Sequence, residues 1–193
     1  KDDAVFSCSS AQWLFLTCLP NLGRTRRREL LTELPDLPRL LSMNAATLRA
    51  MGMTADAITA IQAWQQQDGA HPAVREVRTI SRDCRKHGIG ILTWQDTHYP
   101  EQLRHIHDAP LVLYTLGDTE LLARDQIAII GSRKATPAGL DHARRFAAEL
   151  SARELLVTSG LALGVDGAAH AGALDAGFPT LAVIGCGLDR IYP

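Results

Sequence analysis

Three short segments carry the residue types that could do chemistry. They are Gly131-Ser132-Arg133, Ser159-Gly160-Leu161-Ala162-Leu163-Gly164-Val165-Asp166 and Gly185-Cys186-Gly187. Glycine lets a bulky anion approach the backbone. Ser132 and Ser159 offer hydroxyl donors, and Arg133 can hold a phosphate through two nitrogens at once. The chemistry this combination suits is phosphate binding.

The elements that must position these segments are legible in the pattern. Ile127-Ala128-Ile129-Ile130 is a short apolar run, as expected of a strand buried on both faces. A helix is expected from Pro137 to about Arg153, with proline in its first turn. Strands are expected over Leu155 to Thr158 and Thr180 to Ile184, with a helix of small residues over Asp166 to Ala176 between them. Alternating strands and helices imply a parallel sheet with right-handed crossovers. All three segments then follow carboxyl ends of parallel strands, the edge where open α/β sheets bind ligands. Two lead into helix N-termini, which attract anions.

Plainer readings exist for each feature. Gly131, Gly160 and Gly185 also fit tight strand-to-loop turns. Asp166 also fits an N-cap, and His170 a packed histidine rather than a base. The common nucleotide and nucleophile codes are absent: there is no G-x-x-x-x-G-K-[ST], no full G-x-G-x-x-G and no G-x-S-x-G. His98, His105, His107 and Asp108 have no standard metal-ligand spacing. No metal, cofactor or catalytic constellation is expected.

The first half reads differently. Ser9 to Leu19 has helical spacing, with Ser9 and Gln12 as a capping box and Ala11, Leu14, Phe15, Cys18 and Leu19 on one face. A helix from about Thr25 to Leu34 follows, headed by Arg24, Arg26, Arg27 and Arg28. Those arginines fit a solvated face or a phosphate-contacting hairpin. Leu48 to Thr54 ends one helix and caps the next, which carries Ile58, Ile61 and Trp64. Turns centred on Gly23 and Gly52, 29 residues apart, give a weak repeat of helix–hairpin–helix character. Asp68 to Pro72 is a linker candidate, so the expected domains are 1–70 and 71–193. Val74 to His87 is an amphipathic helix stopped by Gly88, followed by short strands at Ile89 to Thr93 and Leu111 to Leu116.

The chain has 193 residues, 46% of them hydrophobic and 21% charged, which excludes disorder and coiled coil as overall descriptions. Lys+Arg is 20 and Asp+Glu is 21, so any nucleic-acid binding must come from a local patch. No apolar run nears the roughly 18 residues of a membrane span. Four scattered cysteines without C-x-x-C spacing fit a reducing, cytoplasmic setting. The missing initiator Met and the close on Ile191-Tyr192-Pro193 lead us to expect a fragment.

The motifs together resemble one family. Ile127 to Arg133 looks like the opening strand and G-S-R loop of the DNA-processing protein A (DprA, Smf) family. Ser159 to His170 resembles its S-G-x-A-x-G-[IV]-D-x-x-A-H signature, and Leu181 to Pro193 its A-V-[LI]-G-x-G-x-D-x-x-Y-P segment. Tyr99-Pro100, Leu103, Asp108-Ala109-Pro110, Leu113-Tyr114 and Gly117 are similar to its lead-in. The resemblance implies an α/β, Rossmann-like parallel sheet, cut short at its C-terminus. Before it would come a small all-helical domain, SAM-like or helix–hairpin–helix-like. It further implies a non-catalytic protein that binds and protects incoming single-stranded DNA in natural transformation and helps load a RecA-type recombinase. By position, Gly131, Ser132 and Arg133 would contact the DNA backbone, with Lys134 assisting. Ser159, Gly160, Gly164 and Asp166 would shape the second loop, and Gly185 and Gly187 the third. The family's self-association surface, and hence a homodimer, would depend on segments past residue 193.

Two other functions fit parts of the pattern. One is a phosphoribohydrolase-type enzyme with glycine-rich strand ends, although its P-G-G-x-G-T-like loop is absent from this chain. The other is a helical module that docks a protein partner through residues 1–70.

Overall fold

The computed structural model describes residue 6 and residues 8–190. The Ile191-Tyr192-Pro193 end of the third motif and the Lys1-Asp2-Asp3 start lie outside the described residues. The chain forms two compact units that divide between Thr115 and Leu116. That division comes later than the linker near residue 70, because the long helix and strand pair after the linker pack with the helices before it.

In the first unit, helices α1 (Ser9–Thr17), α2 (Arg24–Glu33), α3 (Ala45–Ala50), α4 (Ala55–Gln65) and α5 (Pro72–His87) surround an aromatic-aliphatic centre. A 3-10 helix, Leu37–Ser42, joins α2 to α3. Helix α1 buries more than the expected stripe: Trp13 and Leu16 are enclosed along with Leu14 and Phe15. Its N-cap is Cys8, with no side-chain capping bond, so the Ser9–Gln12 capping box does not form. Trp64 of α4 sits with its ring centre 4.5 Å from Phe15 and 4.9 Å from Phe6. Helix α5 has Pro72 in its first turn and ends at Gly88, whose φ of 66° is the left-handed C-cap conformation.

The hairpin repeat is real but its register is not glycine on glycine. Asn21 and Gly52 share the positive φ, 59° and 77°. Leu22 and Met53 are the buried residues of the two turns, and Gly23 and Thr54 are the two N-caps. The repeat is therefore 31 residues, from 21 to 52. The arginines at the head of α2 serve these turns. Arg26 donates to the Met51 carbonyl and pairs with Glu29 at 2.9 Å, and Arg27 donates to the Leu22 carbonyl at 3.3 Å.

Strands β1 (Gly90–Thr93) and β2 (Val112–Thr115) form an antiparallel pair within this unit. Between them lies the one-turn helix α6 (Glu101–Arg104). Here the lead-in motif proves architectural. The Tyr99 hydroxyl donates to the Pro110 carbonyl at 2.7 Å, and the Arg104 guanidinium lies 5.3 Å over the Tyr99 ring and 5.7 Å over the Trp94 ring. Burial pushes the Tyr99 pKa up to about 12, so the hydroxyl keeps its proton.

The second unit opens with a 3-10 turn, Thr119–Ala123. It continues as β3 (Gln126–Ala128), α7 (Pro137–Ser151), β4 (Leu156–Ser159), α8 (Val165–Asp175) and β5 (Thr180–Ala182). The three strands are parallel in the order β3-β4-β5, with Ile127 opposite Val157 and Val157 opposite Thr180. Consecutive order with right-handed crossovers puts α7 and α8 on one face. They approach so closely there that a Cβ on Gly172 would meet the Arg144 backbone. This is a Rossmann-like half-fold.

The expectation that β3 is buried on both faces fails for that reason. Ile127 and Ile129 pack under the helices with Val157, Ala147, Ala169 and Ala173. The opposite face is open within this unit, leaving Ala128 exposed, Ile130 75% exposed and Val183 63% exposed.

Trp64 anchors the first unit, so Trp64→Ala should cost about 3–5 kcal/mol of stability, measured by urea unfolding followed by circular dichroism.

Candidate nucleic-acid interface

The loop after β3 and the loop after β4 are locked together at the carboxyl edge of the sheet. Ile129 N–H donates to the Thr158 carbonyl at 3.0 Å, extending the ladder by one rung. Ser159, buried, donates its hydroxyl to the Ile129 carbonyl at 2.5 Å. The Gly131 N–H donates to Asp166 Oδ1 at 3.3 Å, and the Val165 N–H donates to the Ser132 carbonyl at 3.1 Å. Four bonds thus bind one loop to the other.

The glycines make this interlock sterically possible. Gly164 has φ 88°, and a Cβ there would collide with the Ser132 carbonyl. At Gly131 a Cβ would lie 2.8 Å from the Val165 side chain, and at Gly160 it would lie 2.9 Å from Asp166 Oδ2. Close approach, rather than turn formation, is what Gly131 and Gly160 supply. Gly185 and Gly187 play no part in the lock. Gly185 has open space around it, and the neighbour of Gly187 is the local Asp189 side chain.

Asp166 is not the N-cap of α8; Gly164 is. Asp166 sits one residue inside the helix, 7% exposed, and its carboxylate reaches across to the Gly131 N–H. The first turn of a helix is a favourable place for that charge. His170, 5% exposed, is one further turn along α8. Its Nδ1 is 2.9 Å from Thr180 Oγ1, and that hydroxyl donates to the Val157 carbonyl at 2.7 Å. The hydroxyl hydrogen is therefore engaged, so Nδ1 carries the proton and donates. Burial lowers the His170 pKa, and the nearby Asp166 charge only partly opposes it. The imidazole is a neutral structural link between α8 and β5.

What remains for a ligand is the outer rim. Ser132, Arg133 and Lys134 are all exposed. Among the described residues, neither Arg133 nor Lys134 makes an ion pair. The Ser132 hydroxyl oxygen accepts from the Lys134 N–H at 3.1 Å, a bond that does not use the hydroxyl's own hydrogen. The Ser132, Arg133 and Ala138 N–H groups make no hydrogen bond among the described residues.

The helix N-termini contribute less than the sequence implies. In α7, Pro137 has no N–H and the Thr136 side chain takes the Gly139 N–H at 3.2 Å. In α8, the Val165, Gly167 and Ala168 N–H groups bond to Ser132, Ala162 and Gly164 carbonyls. The attraction for an anion therefore resides in Arg133, Lys134 and the free N–H groups of their loop.

The metal reading of His98, His105, His107 and Asp108 finds no cluster: among the described residues no three ligating side chains converge. No described helix is long and apolar enough to cross a membrane. Sequence reasoning missed three structural residues, Leu161 with φ 57°, Val165 and Thr136. The S/T-x-x pattern before α7 could have revealed Thr136; the other two have no local signature.

With this geometry fixed, comparison with known proteins is decisive. The model of the family described as "DNA recombination-mediator protein A" matches residues 90–193. The chain belongs to that family. It is 43% identical over 98 residues to DNA processing protein DprA of Streptococcus pneumoniae, covering 51% of this chain and 34% of that one. It is 31% identical over 153 residues to the Bacillus subtilis DprA, covering 79% and 50%. The X-ray structure of the S. pneumoniae DprA superposes with a TM-score of 0.73 at 29% identity, covering 96% of this chain and 61% of that one. The chain thus spans a third to a half of the length of these two curated relatives.

Two outcomes follow from the lock. Asp166→Ala leaves the Gly131 N–H without its acceptor and should cost about 1–3 kcal/mol, whereas Asp166→Asn, which keeps an oxygen there, should cost less; chemical denaturation measures both. The lowered His170 pKa gives a pH signature. Between that lowered value and the ordinary 6.5, the unfolded state binds the extra proton. Stability is therefore full above 6.5 and falls as pH drops below it. His170→Asn, which keeps a donor near the Nδ1 position, should flatten that segment of the stability–pH curve.

Proposed function

We propose that this chain is the DNA-contacting part of a cytoplasmic mediator that binds incoming single-stranded DNA and passes it to a RecA-type recombinase. The strand's phosphates are held by Ser132, Arg133 and Lys134. Gly131, Ser159, Gly160, Gly164 and Asp166 act by fixing the loop that presents them. Gly185 and Gly187 line the open end of the same strand edge. The observation that carries the reading is a pair of exposed cations, without ion-pair partners among the described residues, on a loop whose backbone is locked from behind by a buried carboxylate.

The same residues support a non-catalytic role. His170 carries its proton on the nitrogen that faces Thr180, and Asp166 accepts a backbone N–H. Neither is presented to a substrate. Contacts to phosphates carry no base information, so binding is indifferent to sequence.

Fluorescence anisotropy of a labelled oligothymidine, read across a salt series, tests this. The plot of log affinity against log salt should have a slope of about −0.7 per phosphate neutralised. Arg133→Ala should weaken binding to every sequence alike and reduce that slope by about one phosphate. Unchanged affinity in Arg133→Ala would refute the assignment. Displacement of the strand by a nucleoside monophosphate, with a hydrolysis product appearing, would favour the phosphoribohydrolase reading instead.

A further inference from the structure

Helix α5 lies before residue 90, outside the segment that the family model matches. It carries Arg75, Arg78, Arg82, Arg85 and Lys86. At about 100° per residue these five fall within a sector about 100° wide, running about 16 Å along the helix. Glu76 and Asp83 fall outside that sector. Ala73, Val74, Val77 and Cys84 occupy the buried side. A chain with a net charge of −1 has therefore gathered a quarter of its 20 basic residues on one side of one helix.

Helix stability does not explain the stripe. Arg85, Lys86 and His87 in the last turn do favour the helix dipole. Arg75 does the opposite, since a cation near the helix N-terminus opposes the dipole and no acidic residue in the first turn offsets it. The Arg82–Asp83 contact at 3.0 Å is between exposed neighbours and contributes little. Among the described residues, Arg75, Arg85 and Lys86 make no ion pair. Arg78 is anchored: its guanidinium lies 5.1 Å over the Phe6 ring, which holds one cation of the row in place.

We infer that the exposed face of α5 is a second contact for the phosphate backbone of single-stranded DNA. This rests on the reading of the chain as a single-strand binder. Four of the five groups are arginines, which grip phosphate oxygens in pairs, and their row is linear, as a strand's backbone is. The contact is electrostatic and blind to sequence.

The test uses the 193-residue chain with Arg75→Gln, Arg82→Gln and Arg85→Gln combined, set beside Arg133→Ala. Glutamine preserves helix propensity, and circular dichroism checks that the variants are folded. In the oligothymidine salt series the triple variant should lose about 2 from the magnitude of the log–log slope, at about 0.7 per phosphate. The matching triple lysine variant should keep the slope. A triple glutamine variant with the parental slope overturns the inference, even where Arg133→Ala weakens binding. Loss in the triple variant with Arg133→Ala unaffected upholds the stripe and refutes the loop assignment. A folded chain that binds polyglutamate through the stripe but not oligothymidine, or that binds no oligothymidine at low salt, overturns the inference.

Discussion

The Asp166 carboxylate accepting the Gly131 N–H is the bond on which the candidate site turns. It joins the first turn of α8 to the exit of β3, across the loop that leaves β4. Everything nearby is arranged around it. Gly160 lacks the Cβ that would press on Oδ2, and Gly164 turns the chain where only a glycine clears the Ser132 carbonyl. Ser159 holds the Ile129 carbonyl from below. A charged acceptor makes a stronger bond than a neutral one, and burial strengthens it again. The Ile129 and Ser132 carbonyls and the Gly131 N–H are thereby satisfied by protein, and the outer edge of the loop is left for solvent or ligand.

The distribution of charge follows the same division. On α7, Arg144 pairs with Asp175 at 2.6 Å and Arg145 with Asp141 at 3.9 Å, and just past its end Arg153 pairs with Glu149 at 3.7 Å. These cations have local partners. Arg133 and Lys134 have none among the described residues, although the chain as a whole is nearly neutral. A local positive edge on a neutral background acts at short range and is sensitive to salt. The α5 stripe has the same character in the other unit.

Much of this was legible in the residues, for identifiable reasons. The parallel strands, the helix begun by Pro137 and the stop at Gly88 follow from period, proline and glycine, which act locally. Leu22 and Met53 show where local reading fails. Matching Gly23 to Gly52 sets the repeat at 29, but the conformation that matters is a positive φ, which Asn21 supplies in the first turn. Asp166 looked like a cap because it stands near a helix start; its partner is 35 residues away and no local pattern reveals it. The two-sided burial expected of β3 presumed helices on both faces, and Ile130 shows that only one is covered in this unit. The arginines in the first turns of α2 fit a solvated face or a phosphate hairpin, yet Arg26 and Arg27 are held by carbonyls of the two turns.

The central claim is that the locked loop presents Ser132, Arg133 and Lys134 to the strand. Amide chemical shifts of the 193-residue chain, followed by NMR while oligothymidine is added, test it residue by residue. The account requires the Ser132, Arg133 and Lys134 amides to move and saturate together at low salt, with the Gly131 amide protected by Asp166 throughout. Saturable binding that leaves all three amides in place would contradict it.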